Sequence, residues 1–470
     1  MALSYFLFGD AGASGPNQVA LTFATMVAVF IGWRRGHSLE SLREAAVQSV
    51  GSGIGAMFIL LAVGTLIGAW ALSGTLLAMV YYGLQLLNPN YFYVTATAVC
   101  AIVAASIGSS WTVVGTIGIG FMGIAMNMEL NPAIAAAAII SGAYFGDTTS
   151  PLSDSSNLAA ATGGVDLYKH VKETLLTSSI ALAIALAVFL MLGRPGDFDA
   201  SAHIEAIRSS FGVSPVLFLP LAVVVALALF KVPPFTAIFL GALAGGVVAV
   251  FVAPDRVVTF ATRDGDDIPR WLAMIKGVWL ALASGYTGST GIPMIDQLVT
   301  RGGMASMLNT IWLIITALAF GGVVEKAGVL DRLITPVIES AKSAGRLVST
   351  LVASVIGTNI VTADQYIAIV LPGRMFKGAF AKRGFAPVVL TRSVGASATP
   401  TSALVPWNSC GAYMAATLGV ATFSYLPSAV FNFASPLLAI AVAYLGIRMP
   451  KASAAPAQGA AAPGPASREP

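Results

Sequence analysis

Apolar runs that are long enough to cross a lipid bilayer recur along nearly the whole chain. A membrane-spanning helix needs about 20 mostly apolar residues. Runs near that length occupy residues 18–33, 47–72, 91–107, 174–192, 235–252, 304–324 and 423–445. Only 10% of the residues are charged, whereas a soluble globular domain carries about 25%. The sequence therefore predicts an all-α polytopic membrane protein with the lipid bilayer as its surroundings, in which residues 47–72 form one long helix.

The charge, the cysteines and the histidines of the sequence argue against several classes of function. The net charge of +4 is small, and the Lys and Arg residues fall mainly in loops, which is typical of membrane orientation and not of nucleic-acid binding. Both cysteines lie in apolar runs, so we expect no disulfide framework. The three histidines lack metal-ligand spacing. The sequence thus predicts no nucleic-acid partner and no resident cofactor.

A polar segment at residues 141–165 interrupts this apolar chain between the runs 132–145 and 174–192. Polar groups at membrane depth persist only where they line a cavity or pack against protein, and carboxylates there usually mark an ion or proton path. The segment holds two carboxylates, Asp147 and Asp154, together with many neutral oxygens. The oxygens singled out as candidate ligands belong to Thr148, Ser150, Ser153, Ser155 and Asn157.

These residue types suit a site that exchanges Na⁺ for a proton. Gly146 and Pro151 bracket the place where the helical hydrogen bonds should fail, which would free carbonyl groups. Hard cations prefer oxygen ligands, and a buried carboxylate accepts a proton when no cation is bound. Asp147 and Asp154 are therefore the predicted Na⁺ ligands. The alternative is that the polar residues only cap two half-helices, although a cap needs one such residue and this segment has nine.

A second polar break, at residues 399–409, has hydroxyls and an amide but no carboxylate. Its candidate ligands are Thr401 and Asn408. Three more candidates lie upstream, namely Thr358, Asn359 and Asp364. Asp364 could equally cap the following helix. Ser109 and Ser110 hold the matching position in the first half, where a hydrogen bond between helices is as plausible as contact with a substrate.

The two polar breaks also suggest an internal repeat. Pro151 and Pro406 are 255 positions apart, as are residues 164–165 and 419–420, while Gly108 is matched with Gly357. Matched loops differ in their Lys and Arg content, and basic loops face the cytoplasm. We therefore expect two inverted-topology repeats whose broken helices meet near mid-membrane, as in many carriers. The predicted divisions are residues 1–192, a linker at 193–213, residues 214–447 and a disordered tail at 448–470.

Residues 146–159, GDTTSPLSDSSNLA, resemble the signature of the NhaC-type Na⁺/H⁺ antiporters. Residues 364–376 and 406–414 are similar to the same family, and the likeness covers nearly all of the chain except the tail. It implies Na⁺/H⁺ exchange, with some members exchanging organic acids or taking up amino acids, and kinship with elevator-like carriers. Gly395 and Ala396 stand where relatives often carry an acidic pair. Residues 8–10 resemble the end of a span that relatives have in full, so either the start lies upstream or this member lacks that helix.

The favoured hypothesis is a secondary transporter, not an enzyme, that exchanges Na⁺ for H⁺ by alternating access in a bacterial cytoplasmic (inner) membrane, with a homodimer as one option. The rival is a Na⁺- or H⁺-coupled exchanger or symporter of a small organic anion or amino acid, which Tyr366, Arg392 and Trp407 would suit. Arg392 could instead pair with a carboxylate or extend to the membrane surface. An intramembrane aspartyl protease is disfavoured, because Tyr144 replaces the first glycine of its Gly-x-Gly-Asp motif. A channel fits two inverted halves poorly.

Overall fold

Helices make up nearly all of the regular secondary structure in the computed structural model, which describes residues 7–8, 15–193, 201–262, 268–341 and 343–452. Within these ranges the only extended pairings are two isolated β-bridges, Tyr286 with Arg301 and Phe385 with Lys451. The described part of the chain is therefore an all-helical protein, as the sequence predicts.

The helices of the first half alternate between long apolar elements and short ones at the breaks. They are α1 (Pro16–Arg34), α2 (Leu39–Ser52), α3 (Ile54–Ser73), α4 (Thr75–Leu86), α5 (Phe92–Ile107), α6 (Ser110–Asn127, with a π-helical turn at Val114–Gly118), α7 (Pro132–Thr149), α8 (Asp154–Gly163) and α9 (Leu167–Met191).

The second half begins with a short helix inside the predicted linker. Its helices are α10 (Ser201–Ser210), α11 (Leu219–Leu229), α12 (Pro234–Val252), α13 (Pro254–Ala261), α14 (Arg270–Ser284), α15 (Pro293–Val299), α16 (Leu308–Lys326), α17 (Val329–Ser340), α18 (Ala344–Thr362), α19 (Gln365–Lys382), α20 (Pro387–Ser402), α21 (Ser409–Leu418), α22 (Thr422–Tyr425) and α23 (Val430–Tyr444).

Eight helical segments of the described chain are long and apolar enough to cross a membrane. A ninth span is possible if α22 and α23, which bend by 56° at a short break, count as one. The candidate spans are Pro16–Arg34, Ile54–Ser73, Pro89–Ile107, Ser110–Asn127, Leu167–Met191, Pro234–Val252, Met304–Lys326 and Ala344–Thr362. The length and apolar composition of these helices confirm the prediction of a multi-pass membrane protein.

The expectation of one long helix over residues 47–72 is wrong, because the chain breaks at Gly53. Helix α2 ends at Ser52 and α3 begins at Ile54. A Cβ atom on Gly53 would lie 2.2 Å from Leu318 Cδ1, so α16 approaches the chain too closely for a side chain here. Glycines at positions 51, 53 and 55 each weaken a helix by about 1 kcal/mol, which explains why continuous apolar character did not produce a continuous helix.

Close packing of α5 against α7 fixes the position of the first polar break. A Cβ atom on Gly142 would lie 2.2 Å from the Thr97 carbonyl oxygen, and one on Gly146 would lie 2.3 Å from the Ala104 backbone. Small residues spaced four apart let membrane helices approach backbone to backbone. This contact carries the carboxyl end of α7, including Asp147, against the end of α5.

The two halves pack against each other through their broken helices. Helix α8, which follows the first break, packs on α19 and α20 of the second half, and α21, which follows the second break, packs on the π-helical turn of α6. The Trp111 and Tyr413 rings stack with centroids 4.0 Å apart, and the Tyr413 hydroxyl donates to the Trp111 carbonyl at 2.7 Å. Each break is thus supported by helices of the other half.

The structure describes only parts of the predicted linker and of the predicted tail. Helix α10 lies within residues 193–213, and residues 194–200 are outside the described ranges. Residues 448–452 run beside the α19–α20 loop, where the Ala386 amide donates to the Pro450 carbonyl at 2.8 Å. The remaining predicted tail, residues 453–470, lies outside the described residues.

Candidate ion-binding site

A cavity of about 600 Å³ lies where the helix breaks converge. Three carboxylates line it, those of Asp147, Asp154 and Asp364. Its wall also includes residues of the α2–α3 break, the α5–α6 junction, the α11–α12 loop and the start of α21. The sequence-predicted residues that share this wall are Ser109, Asp147, Asp154, Ser155, Asp364 and Tyr366.

Asp147 is the most extensively bonded of the three carboxylates. Asp147 is only 8% exposed to solvent. Oδ2 accepts a hydrogen bond from Ser110 Oγ at 2.5 Å, and Oδ1 accepts from Ser153 Oγ at 2.6 Å and Ser155 Oγ at 3.1 Å. Hydrogen bonds to an ionised carboxylate are shorter and stronger than neutral ones, so the arrangement stabilises the charged form against its desolvation.

Two helix starts place these hydroxyls. Ser109 caps α6, with its Oγ accepting from the Thr112 amide at 3.2 Å, and Ser153 caps α8. Gly108 precedes the first cap in the left-handed region at φ 81°, and a Cβ atom there would lie 2.6 Å from the Leu152 carbonyl carbon. The π-helical turn that follows in α6 is a feature often found at functional sites.

The carbonyl groups expected to be free at the first break are engaged. Ser156 Oγ donates to the carbonyl oxygens of Asp147 and Thr148, each at 3.1 Å. The Ser156 hydroxyl therefore bonds to two carbonyl groups at the end of α7. This leaves the Asp147 carboxylate as the candidate cation ligand at this helix end.

The other predicted ligands of the first break have local roles or greater exposure. Asp154 is exposed, at the first position of α8, and lines the cavity. Thr148 Oγ1 donates to the Tyr144 carbonyl of its own helix, and Ser150 Oγ accepts from the Leu152 amide. Asn157 Nδ2 donates to the Ser153 carbonyl at 2.9 Å. The side chains of Thr148, Ser150 and Asn157 thus bond to nearby backbone rather than to the Asp147 carboxylate.

Asp364 caps the following helix, which is one of the two alternatives that the sequence left open, and its role as a ligand stays a prediction. It caps α19, its Oδ1 accepting from the Ile367 amide at 2.8 Å, and it is buried yet lines the cavity. Ala363 before it adopts a left-handed conformation at φ 58°, and its carbonyl accepts from the Ser409 amide at 2.9 Å. This bond ties the start of α19 to the start of α21.

Asn359, Thr401 and Asn408 form a separate buried cluster behind the cavity wall. Asn359 Nδ2 donates to Thr401 Oγ1 at 3.0 Å, and Asn408 Nδ2 donates to Asn359 Oδ1 at 3.1 Å. Asn408 Oδ1 also caps α21 by accepting from the Cys410 amide. Thr358 Oγ1 instead donates to the Ser354 carbonyl in its own helix. These four residues are absent from the described cavity lining, so the cluster supports the second break.

A family model described as the Na⁺/H⁺ antiporter family matches residues 142–447, which include both polar breaks. The chain belongs to this family. The resemblance seen in its sequence motifs is thereby confirmed, and membership places it among transporters rather than enzymes.

Proteins named for different exchange activities are similar to this chain. The Na⁺/H⁺ antiporter NhaC of Alkalihalophilus pseudofirmus is 36% identical over 93% of this chain and 91% of its own. The malate-2H⁺/Na⁺-lactate antiporter of Bacillus subtilis is 33% identical over 95% and 92%. The arginine/ornithine antiporter ArcD of Halobacterium salinarum is 30% identical over 93% and 87%.

This antiporter-family cavity has lining residues that the sequence analysis did not select. Five of them are Trp111, Lys231, Phe235, Gln365 and Cys410. Gln365 Oε1 accepts from Ser402 Oγ at 2.8 Å and from Cys410 Sγ at 3.2 Å, which links the start of α19 with both sides of the second break. Gln365 follows Asp364 directly, so its position offered a signal, whereas apolar surroundings hid the other four.

Arg392 of this family member pairs with a carboxylate away from the cavity. It is buried, and its Nη1 lies 3.6 Å from Glu173 Oε2. Arg448 Nη1 lies 3.7 Å from the same oxygen. Of the three roles open to Arg392 from the sequence, the ion pair is the one observed, and its extension to the surface is excluded by its burial.

Proposed function

We propose that this antiporter-family protein exchanges Na⁺ for H⁺, with Asp147 holding either a proton or Na⁺. The observation that carries the proposal is the buried Asp147 carboxylate, which lines a cavity at a helix break and accepts hydroxyl hydrogen bonds on both oxygens. Buried carboxylates in membrane proteins usually mark ion or proton paths. The family membership supports the same reading.

The serine hydroxyls suit both loaded states of Asp147. A hydroxyl can donate to the carboxylate or turn its lone pairs outward, so Ser110, Ser153 and Ser155 can supply oxygen ligands beside the carboxylate when Na⁺ binds. Hard cations prefer such ligands. The exposed Asp154 carboxylate adds negative potential in the same cavity, which raises the local Na⁺ concentration.

Competition for one carboxylate makes the exchange obligatory. A buried carboxylate without a proton or cation is costly to carry through a low-dielectric region. The carrier therefore reorients most readily when Asp147 is loaded. A proton that leaves on one side of the membrane is replaced there by Na⁺, and on the opposite side Na⁺ is replaced by a proton. This scheme needs only the Asp147 carboxylate and the hydroxyls that donate to it.

Alternating access would come from the inverted repeats at residues 1–192 and 214–447. The same local geometries occur at pairs of positions 255 residues apart, which supports the proposal of two repeats. Ser109 and Asp364 each cap a helix after a left-handed residue, and Ser153 and Asn408 cap the helices after the breaks. The geometry pairs Gly108 with Ala363 rather than with Gly357, which lies inside α18. Rocking of one unit against the other around such breaks is a known carrier design.

A second candidate is coupled exchange of a small organic acid or amino acid by the same cavity. The similarity to the malate-2H⁺/Na⁺-lactate antiporter of Bacillus subtilis and the arginine/ornithine antiporter of Halobacterium salinarum supports it. The cavity volume of about 600 Å³ also falls in the range of roughly 300–1,000 Å³ that organic ligands occupy. In both cases we propose a bacterial cytoplasmic membrane location, which the bacterial relatives support.

The test is ion exchange by purified protein in proteoliposomes with an internal pH dye. Addition of Na⁺ should drive proton movement, and the panel of Na⁺, Li⁺ and K⁺ gives the selectivity. Asp147→Asn should abolish the signal, because the amide holds neither proton nor cation charge. Asp255→Asn, in the exposed pair with Arg270, is the matched control and should keep it. Normal exchange by Asp147→Asn would refute the proposal.

A further inference from the structure

Lys231 is the one positively charged side chain that lines the cavity within the described ranges. It shares that wall with the carboxylates of Asp147, Asp154 and Asp364. Arg392 and its partner Glu173 lie elsewhere, so Lys231 is the cation available to a molecule in the cavity. A site built for Na⁺ and H⁺ alone gains nothing from a fixed ammonium group, since it repels cations.

The α11–α12 loop holds the Lys231 backbone in a defined conformation. Its amide donates to the Ala228 carbonyl and the Val232 amide donates to the Leu227 carbonyl, each at 3.0 Å, which closes the end of α11. Lys231 itself is in the left-handed region at φ 61°, where glycine is the favoured residue. Pro233 and Pro234 then restrict the chain up to the start of α12. The loop thus presents a long cationic side chain where glycine would be the less strained choice.

The remaining wall suits an organic molecule better than an ion alone. A water molecule takes about 30 Å³ of liquid, so a cavity of about 600 Å³ has room for far more than one ion and its ligands. Trp111, Phe235 and Tyr366 add aromatic surface to this wall. Apolar surface with a few convergent charged groups is the usual make-up of a small-molecule site.

We propose that Lys231 binds the carboxylate of a small organic anion that occupies this cavity. The inference rests on the proposed function, because it assigns the anion to the same cavity in which Asp147 takes Na⁺ or a proton. The Lys231 ammonium group offers three donors and offsets the repulsion that three aspartates exert on an incoming carboxylate. The aromatic residues cover the rest of the molecule.

The test measures two readouts from the same proteoliposomes, counterflow of radiolabelled L-lactate, L-malate and L-arginine, and Na⁺-driven proton movement. Wild type should exchange at least one of the three. Lys231→Gln should raise the KM for that carboxylate by at least about tenfold, since a charged hydrogen bond is lost, and Lys231→Arg should keep it within a few-fold. The KM for Na⁺ should fall by roughly two- to threefold in Lys231→Gln, because a repelling charge is removed.

Matched controls separate carboxylate binding from folding defects. Lys382→Gln removes an exposed lysine outside the cavity lining and should change neither readout. Lys231→Gly should behave as Lys231→Gln, and it relieves the left-handed strain, so its loss of carboxylate affinity cannot arise from a misfolded loop. Lactamide, which lacks the carboxylate, should not compete with lactate.

Each failure has a distinct meaning. If wild type moves none of the three organic substrates, or if Lys231→Gln and Lys231→Gly keep the wild-type carboxylate KM, the inference about Lys231 is wrong and Na⁺/H⁺ exchange is untouched. Competition by lactamide as strong as that by lactate would also overturn it. If carboxylate counterflow depends on Lys231 but no Na⁺-driven proton movement occurs, the Na⁺/H⁺ proposal fails instead.

Discussion

Ser110 Oγ lies 2.5 Å from Asp147 Oδ2, so residues of two different helix breaks meet at one carboxylate. Ser110 begins α6, just after the α5–α6 junction, and Asp147 is near the end of α7. Ser153 and Ser155 reach the other carboxylate oxygen from α8 and its cap. Under the proposed function, replacement of a proton by Na⁺ at Asp147 would alter contacts with three helix ends at once, and we expect this to couple ion binding to movement of these helices.

Ser110→Ala should weaken Na⁺ binding without unfolding the protein. A hydrogen bond to a charged group contributes about 1.5–3 kcal/mol, which predicts a rise in the KM for Na⁺ of roughly 10- to 100-fold. The check is Na⁺-driven proton movement over a range of Na⁺ concentrations. Ser106→Ala is the matched control, because the Ser106 hydroxyl is exposed and bonds to its own helix. Equal KM values for the two variants would contradict the assignment of Ser110.

Asp154→Asn should be milder than Asp147→Asn. Asp154 is exposed and lines the cavity, so we expect it to attract Na⁺ without being its main ligand. Loss of such an exposed charge costs about 0.2–1 kcal/mol, which predicts a KM for Na⁺ raised by up to about fivefold and a maximal rate near that of wild type. Complete loss of exchange in Asp154→Asn would show that it holds the transported ion itself.

Gly146→Ala should disturb the site through packing. The added methyl group would lie 2.3 Å from the Ala104 backbone, which cannot yield as a flexible side chain does, so α7 must shift away from α5. We expect overpacking to lower stability by about 1–3 kcal/mol and to reduce exchange. Gly378→Ala serves as the control, because a Cβ atom at that position on α19 meets open space. Melting curves in detergent give the measurement, and an unchanged Gly146→Ala protein would contradict the packing account.

Asn408 should stabilise the second break in two separable ways. Its Oδ1 caps α21 and its Nδ2 donates to Asn359. Asn408→Ser keeps the capping oxygen and loses the bond to Asn359, while Asn408→Ala loses both. We therefore expect melting temperatures in the order wild type, Asn408→Ser, Asn408→Ala, with about 0.5–2 kcal/mol for the cap alone. Identical values for the two variants would mean that the cap contributes nothing.

The sequence predicted the helical membrane class and the first polar break because both leave a strong local signal. Long apolar runs without charge indicate membrane-spanning helices, and carboxylates beside hydroxyls in such a run indicate an ion or proton path. The α2–α3 break was missed, because Gly53 adds no polarity to the run and its effect depends on how closely Leu318 approaches. Periodicity cannot report a contact made by a distant helix.

The sequence also could not predict which polar side chains bond to the Asp147 carboxylate and which bond to the backbone. Thr148 and Ser155 look alike as hydroxyl donors, yet one bonds to the Tyr144 carbonyl and the other to the Asp147 carboxylate. Which of these occurs depends on where the chain turns after Thr149. Lys231 was overlooked for the same reason, since only the assembled cavity places the α11–α12 loop beside the carboxylates.

The most direct test of the central claim is proton release when Na⁺ binds to purified protein in weakly buffered detergent solution, measured together with the binding of radioactive Na⁺. If Asp147 alternates between the two ions, wild type releases up to one proton for each Na⁺ bound. Asp147→Asn then neither binds Na⁺ at this site nor releases a proton, while Asp255→Asn behaves as wild type. Na⁺ binding by Asp147→Asn with undiminished proton release would contradict the account.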